Sequence, residues 1–240
     1  MPSIHEISEC LSQISAETKS LPQLEMSKLV LEYLEFRQSA LNNFVQHNLQ
    51  DADSAKEMFE ECLLISKESA CPLPMNKQKG DKRQHAFLTC SVNLLMSHYL
   101  RNTTIDYDPR DLTVMTSTHY PSHVFSRRFD GAIPSTVNPV CLWEIKEYYY
   151  TTTFGSRIAD GVYETQLDGY ELRDYRHSTN NYLYHFLVID SHYTWWGMGK
   201  SYLCRLIDAL HMGLVDEIIF GREIIDRIPV ICDNIASHCQ

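Results

Sequence analysis

Three residues in the stretch RRFDGAIPSTVNPVCLWEIKEYYY, residues 127–150, have types and spacing suited to phosphodiester hydrolysis: Asp130, Glu144 and Lys146. The run VCLWEIKEYYY (140–150) is rich in aromatic and branched residues and reads as a β-strand. Residues two apart on a strand share a face, so Glu144 and Lys146 point the same way, with Ile145 and Leu142 expected to point the other way into a core. Asp130 is expected at the end of the preceding strand. If the two strands are neighbours, its carboxylate approaches that of Glu144. Converging carboxylates repel unless a cation lies between them. Hard oxygen ligands with some retained waters suit Mg²⁺. A lysine beside such a cation can position or help deprotonate a water and can offset charge on the reacting phosphate. The residues also have a plainer reading. Asp and Glu-x-Lys thirteen residues apart recur by chance, and a Glu–Lys pair on a half-solvated strand is worth under about 1 kcal/mol.

The elements that would position these groups follow from periodicity and punctuation. Apolar residues at helical spacing predict helices over 22–46 and 54–68. The stretch ACPLPMNKQKGDKRQ (70–84), with two prolines and a glycine among charges, reads as a linker. It divides an acidic helical N-terminal region, 1–75, from the remainder, 76–240. A mostly buried helix is expected at 84–100. Strands follow at 111–119, 123–133 and 140–150, then a helix at 155–175 with Thr153 or Ser156 as its N-cap. A central strand at 181–190, a helix near 199–213 and a short strand at 216–221 complete the order.

That order, with the pattern FDG…WEIKEY inside it, resembles the PD-(D/E)XK nuclease superfamily, the restriction-endonuclease-like fold, over about residues 82–190. The resemblance implies an α/β protein with an αβββαβ core: a mixed central sheet flanked by helices, here with an added N-terminal helical region. It assigns Asp130, Glu144 and Lys146 to the catalytic positions and the backbone carbonyl of Ile145 to the metal beside Asp130 and Glu144. Phe129 stands where the family has its leading proline. QLDGY, Gln166 to Tyr170, is similar to the Q-x3-Y element of the lambda-exonuclease-like subgroup and makes Gln166 a further catalytic candidate. The helix at 84–100 has no acid, so a family-type glutamate from the first helix has no counterpart; Glu32, Glu35 and Glu61 are the candidates left. The activity implied is Mg²⁺-dependent cleavage of DNA, with Mn²⁺ as a substitute, read here as an endonuclease of the restriction or antiphage-defence type; the chain's size suits a homodimer that cuts two strands. The rival expectation is a catalytically degenerate nuclease-like fold that serves as an interaction module.

Net charge is −10, which argues against a surface coated for nucleic acid. Its distribution is uneven: residues 76–130 hold 8 Lys/Arg against 5 Asp/Glu, and the segments on either side are acidic. A local basic surface ending at Asp130 is a workable arrangement for double-stranded DNA, although a mosaic surface also yields such windows. Arg127 and Arg128 are candidate phosphate contacts, as are Ser156 and Arg157 at a helix N-terminus. Lys77, Lys79, Lys82 and Arg83 are placed to track a backbone. Tyr148, Tyr150, Trp195 and Trp196 read as packing or interface aromatics. Eight scattered cysteines with no CxxC pair exclude a zinc ribbon or a disulfide framework and fit reduced thiols in the cytoplasm. No apolar run reaches membrane-spanning length, and the N-terminus carries no signal-peptide pattern.

Overall fold

Alternation along strand β5 (Cys141–Glu147) sends Leu142, Glu144 and Lys146 to one face of a sheet and Trp143 and Ile145 to the other. Leu142 therefore lies on the face of Glu144, not opposite it, because a period of two carries every second residue to the same side. The computed structural model describes residues 3–14, 23–67, 70–76, 84–118, 120–150 and 155–238. The chain divides into two compact units, Met1–His47 and Asn48–Gln240.

The smaller unit contains α1 (Ile4–Ile14) and α2 (Gln23–Ala40), and a π-turn at Leu41–Val45 leads into α3 (Gln46–Asn48). Ser3 and Glu6 cap α1 reciprocally: the Glu6 carboxylate accepts from Ser3 N–H at 2.7 Å, and the Ser3 hydroxyl accepts from Glu6 N–H at 3.3 Å.

The larger unit begins its helices with α4 (Ala52–Ile65), capped by the Asp51 carboxylate on Ser54 N–H. Ala55, Met58, Phe59 and Cys62 form its buried stripe. Helix α5 (Phe87–Tyr99) buries nine consecutive positions apart from Thr89, as a helix covered on most sides must. Strands β1 (Asp106–Tyr107), β4 (Gly131–Ile133), β5, β6 (Tyr184–Asp190) and β7 (Glu217–Phe220) form one sheet in the order β1-β4-β5-β6-β7. Pairing is antiparallel from β1 to β5 and parallel from β5 to β7. The parallel steps need crossover helices, supplied by α6 (Ser156–Thr179) and α7 (Lys200–His211). One sheet face packs Trp143, Phe186, Val188 and Ile219 against α4, α5 and α8 (Ile224–His238). The other packs Leu142 and Ala132 with Phe125, Phe129, Leu172 and Tyr175.

The mixed α/β architecture is as expected, and three details differ. The expected strand at 111–119 forms a separate hairpin, β2 (Val114–Ser117) with β3 (Tyr120–Val124), that at 123–133 is divided between β3 and β4, and the core sheet takes its edge from the two-residue β1. Helix α8 follows β7, unforeseen because Pro229 interrupts the helical pattern. Asp130 does not close a strand but immediately precedes β4. Gly131, which starts β4, lets the chain cross the Trp143 indole: a Cβ there would fall 1.9 Å from a ring carbon.

Candidate active site

The antiparallel register pairs Gly131 with Trp143, so the residue before β4 meets the residue after Trp143. Asp130 thus arrives beside Glu144. Its backbone N–H donates to the Trp143 carbonyl at 3.0 Å, and its Oδ2 accepts from Ile145 N–H at 2.7 Å. In a strand the N–H and C=O of one residue point to the same edge, so the Ile145 carbonyl lies on the edge that holds the Asp130 carboxylate.

Glu144 and Lys146 are buried, 3% and 8% exposed. The plainer reading of a pair on a half-solvated strand does not hold, because α6 packs over this face and covers both. Lys146 Nζ donates to Glu144 Oε2 at 2.7 Å and to Glu164 Oε2 at 3.2 Å. Arg127 joins the same carboxylate, with NH2 to Glu164 Oε2 at 3.0 Å and NH1 to Asp168 Oδ2 at 2.9 Å. Charges therefore alternate along Glu144, Lys146, Glu164, Arg127 and Asp168.

Burial pushes the Glu144 carboxyl up to about 7; the Lys146 ammonium opposes the shift, and the charge of Asp130 adds to it. Lys146 is raised despite burial, chiefly by Glu144 and Asp130, and remains a firm cation. Burial also lifts Asp168 to about 6, against the pull of Arg127. Glu147, on the opposite face of β5, is lifted by burial to about 7 although Thr89 donates its N–H (3.1 Å) and hydroxyl (3.0 Å) to it.

These groups border a cleft with two lobes of about 660 and 580 Å³, which share Asp108, Arg110, Asp130, Ile145 and Tyr148 in their walls. Glu144, Lys146 and Arg127 line the smaller lobe, and Glu147, Arg157 and Glu164 the larger. Among the described residues no group of three or more His, Cys, Asp or Glu side chains closes on one metal position. What the strand edge offers is two carboxylates and one carbonyl, all hard oxygens. That set fits a small divalent cation that keeps several waters.

The structure brings Asp130, Glu144, Ile145, Lys146 and Arg127 together. Arg128 stands apart with NH1 3.5 Å from the Pro109 carbonyl, although it lines the smaller lobe. Ser156 is exposed on the first turn of α6, whose N-cap is Gly155 without a side-chain cap, and Arg157 faces the larger lobe. Thr153 lies outside the described residues, as do Lys77, Lys79, Lys82 and Arg83. Gln166 is half-buried and sits two positions from both Glu164 and Asp168, about 200° round the helix from each. It is therefore turned away from the cluster, and Tyr170 is exposed beneath Arg173. Glu61 pairs with Arg222 at 2.8 Å. Trp195 is fully buried near Tyr148, and Trp196 stacks under the Lys200 ammonium at 3.6 Å. Glu164, Asp168 and Glu147 were not singled out in the sequence. The first two belong to one helical stripe with Arg157 and Gly161, at spacings of three and four residues.

The fold and cleft define an α/β protein whose mixed sheet carries a carboxylate pair and a lysine where an antiparallel strand begins. Residues 50–235 match the family model described as a domain of unknown function, DUF7687, and the chain belongs to that family. No curated protein and no solved structure matches it.

Proposed function

We propose that the protein is a Mg²⁺-dependent deoxyribonuclease with a restriction-endonuclease-like core, of the restriction or antiphage-defence type. The observation that carries this reading is the convergence of Asp130, Glu144 and Lys146 at one strand edge. Three further features support it. Helix α5, strands β1, β4 and β5, helix α6 and strand β6 follow in the αβββαβ order, with the β2–β3 hairpin inserted. Asp130 and Ile145 belong to both lobes of the cleft, and Arg127 and Arg157 stand on its walls. Asp130, Glu144 and the Ile145 carbonyl would hold the cation, which supplies Lewis-acid stabilisation of charge on the phosphate.

The chain's own groups do the remainder. The Ile145 N–H fixes the Asp130 carboxylate toward the edge. Lys146, kept protonated by its carboxylates, acts as a fixed charge that orients a water and meets the negative charge of the transition state, and it does not act as a base. Arg127 is the phosphate contact nearest that charge. Gln166 has no part in this arrangement.

Purified protein incubated with plasmid and phage DNA should cut in Mg²⁺ or Mn²⁺ and stop in EDTA. Absence of cleavage on every DNA tested, in either metal, would sink the proposal. One active centre per chain cuts two strands most simply as a two-fold homodimer. Light scattering that finds only monomer, free and on DNA, removes that part. The second reading, a nuclease-like fold serving as an interaction module, draws on the closed Lys146–Glu144 pair at 2.7 Å, which engages the lysine within the chain.

Among the described residues no helix is long and apolar enough to cross a membrane. We extend the proposal to a protein acting in the cytoplasm; fractionation that recovers it with membranes or secreted material counts against this.

A further inference from the structure

Glu164 Oε2 receives two cations at once, Lys146 Nζ at 3.2 Å and Arg127 NH2 at 3.0 Å. Each cation is anchored from behind by a buried acid. Lys146 rests on Glu144, whose side chain is 3% exposed, at 2.7 Å. Arg127 rests on Asp168, whose side chain is 1% exposed, at 2.9 Å, and Asp168 Oδ1 has no hydrogen-bond partner. The acceptor they share is different. The Glu164 side chain is 38% exposed and borders the larger lobe, while its two cations line the smaller.

Two cationic groups anchored by buried acids, converging on one oxygen at 3.2 and 3.0 Å, meet the requirements of a phosphoryl oxygen. Here the two outer acids are deep and the central one reaches water. Rotation of Glu164 outward rehydrates a carboxylate and leaves both cations held in place by Glu144 and Asp168.

We propose that Lys146 and Arg127 form a phosphoryl-binding site that Glu164 occupies from within, so that a phosphate ligand enters by displacing the Glu164 side chain. This deepens the nuclease reading by naming the group the two cations receive. The site itself requires only a phosphate.

The test is titration of the full chain with inorganic phosphate in EDTA, followed by calorimetry, for wild type, Glu164→Gln, Glu164→Ala and Glu164→Gln/Arg127→Gln. Removing a competing charged acceptor should tighten phosphate binding at least about tenfold in both single variants. The double variant should lose that gain. Circular dichroism confirms which variants are folded, and either single variant suffices. Phosphate affinity unchanged by removal of Glu164, or a gain that survives loss of Arg127, overturns the proposal. A short DNA duplex provides the second arm. A gain for both ligands upholds the site on DNA. A gain for phosphate alone upholds the site but separates it from the nuclease reading. Cleavage of DNA with no gain for either ligand upholds the nuclease and removes the site.

Discussion

Asp130→Asn and Lys146→Ala should both silence DNA cleavage, and they should part company in stability. Asparagine keeps an acceptor for the Ile145 N–H, now 2.7 Å from Asp130 Oδ2, and removes the charge that helps to raise the buried Glu144 carboxyl. Asp130→Asn should therefore melt at or above the wild-type temperature without metal. Lys146→Ala does the opposite. It strands Glu144, 3% exposed, without the ammonium 2.7 Å away. Removing one partner of a buried pair typically costs about 3–5 kcal/mol. Its catalytic effect is expected at about 10²–10³ in rate, the usual loss when a preorganised charged donor is removed. Lys146→Arg should rescue poorly, because a planar guanidinium does not fit the position of a compact ammonium. Lys146→Met/Glu144→Gln should recover much of the stability and none of the activity, which separates the folding effect from the chemistry. Urea denaturation beside single-turnover cleavage measures both. Wild-type cleavage by either single variant defeats the site assignment, and an unperturbed midpoint for Lys146→Ala defeats the account of its burial.

The stability half of that expectation reverses what the sequence alone implies for Lys146. From the strand period, Glu144 and Lys146 are legible as neighbours on one face, and Asp130 as their partner once the strands are adjacent. How deep that face lies was not legible, because burial is decided by how α6, the next element along the chain, packs back over it. Its stripe of Arg157, Gly161, Glu164 and Asp168 mixes charge with glycine and shows no apolar periodicity that would mark a packing face. Gly161 faces this pair closely, for a Cβ there would lie 3.6 Å from a Lys146 methylene and 3.3 Å from the Tyr148 hydroxyl. QLDGY drew attention to Gln166 on the same helix, but two residues of rotation turn it from the cluster. Arg127 was legible as a charge near Asp130. Its binding to Glu164 and Asp168 was not, since it depends on tertiary contact across 37 and 41 residues. The core sheet was legible at β5 and β6, whose apolar runs are long. It was not legible at β1, which has two residues and no pattern to read.

Stability should fall as pH rises from about 5 to 8, the reverse of what paired surface carboxylates give. Burial lifts Glu147 from 4.5 to about 7 and Asp190 from 3.8 to about 7, and it raises Glu144 and Asp168 as well. Asp190 is fully buried at the end of β6, where it accepts from Gln50 N–H and Ser191 N–H, both at 2.7 Å, and from the Tyr149 hydroxyl. These bonds favour its charged form but do not outweigh desolvation. A carboxyl whose folded pKa lies above its unfolded value binds its proton more firmly in the folded chain. Its contribution is complete below the unfolded pKa, declines through the window from about 4 to 7, and is gone above the folded pKa. At about 1.4 kcal/mol per unit, Glu147 and Asp190 each withdraw on the order of 3–5 kcal/mol across that window, and His185, buried neutral with its pKa lowered to about 3, returns part of this up to about pH 6.5. A domain of this size loses about 2–4 °C in Tm per kcal/mol, so Tm at pH 8 should lie at least about 6 °C below Tm at pH 5. Glu147→Gln, whose amide oxygen can still accept from Thr89, should flatten the profile. If the cation proposed for Asp130 and Glu144 binds, Mg²⁺ should restore part of the lost stability at pH 8 and little at pH 5, because Glu144 must give up its proton to serve as a ligand. Calorimetric scans at both pH values, with Mg²⁺ and with EDTA, measure all of this. A Tm that holds level or climbs between pH 5 and 8 would show that these carboxyls reach water more freely than their burial implies.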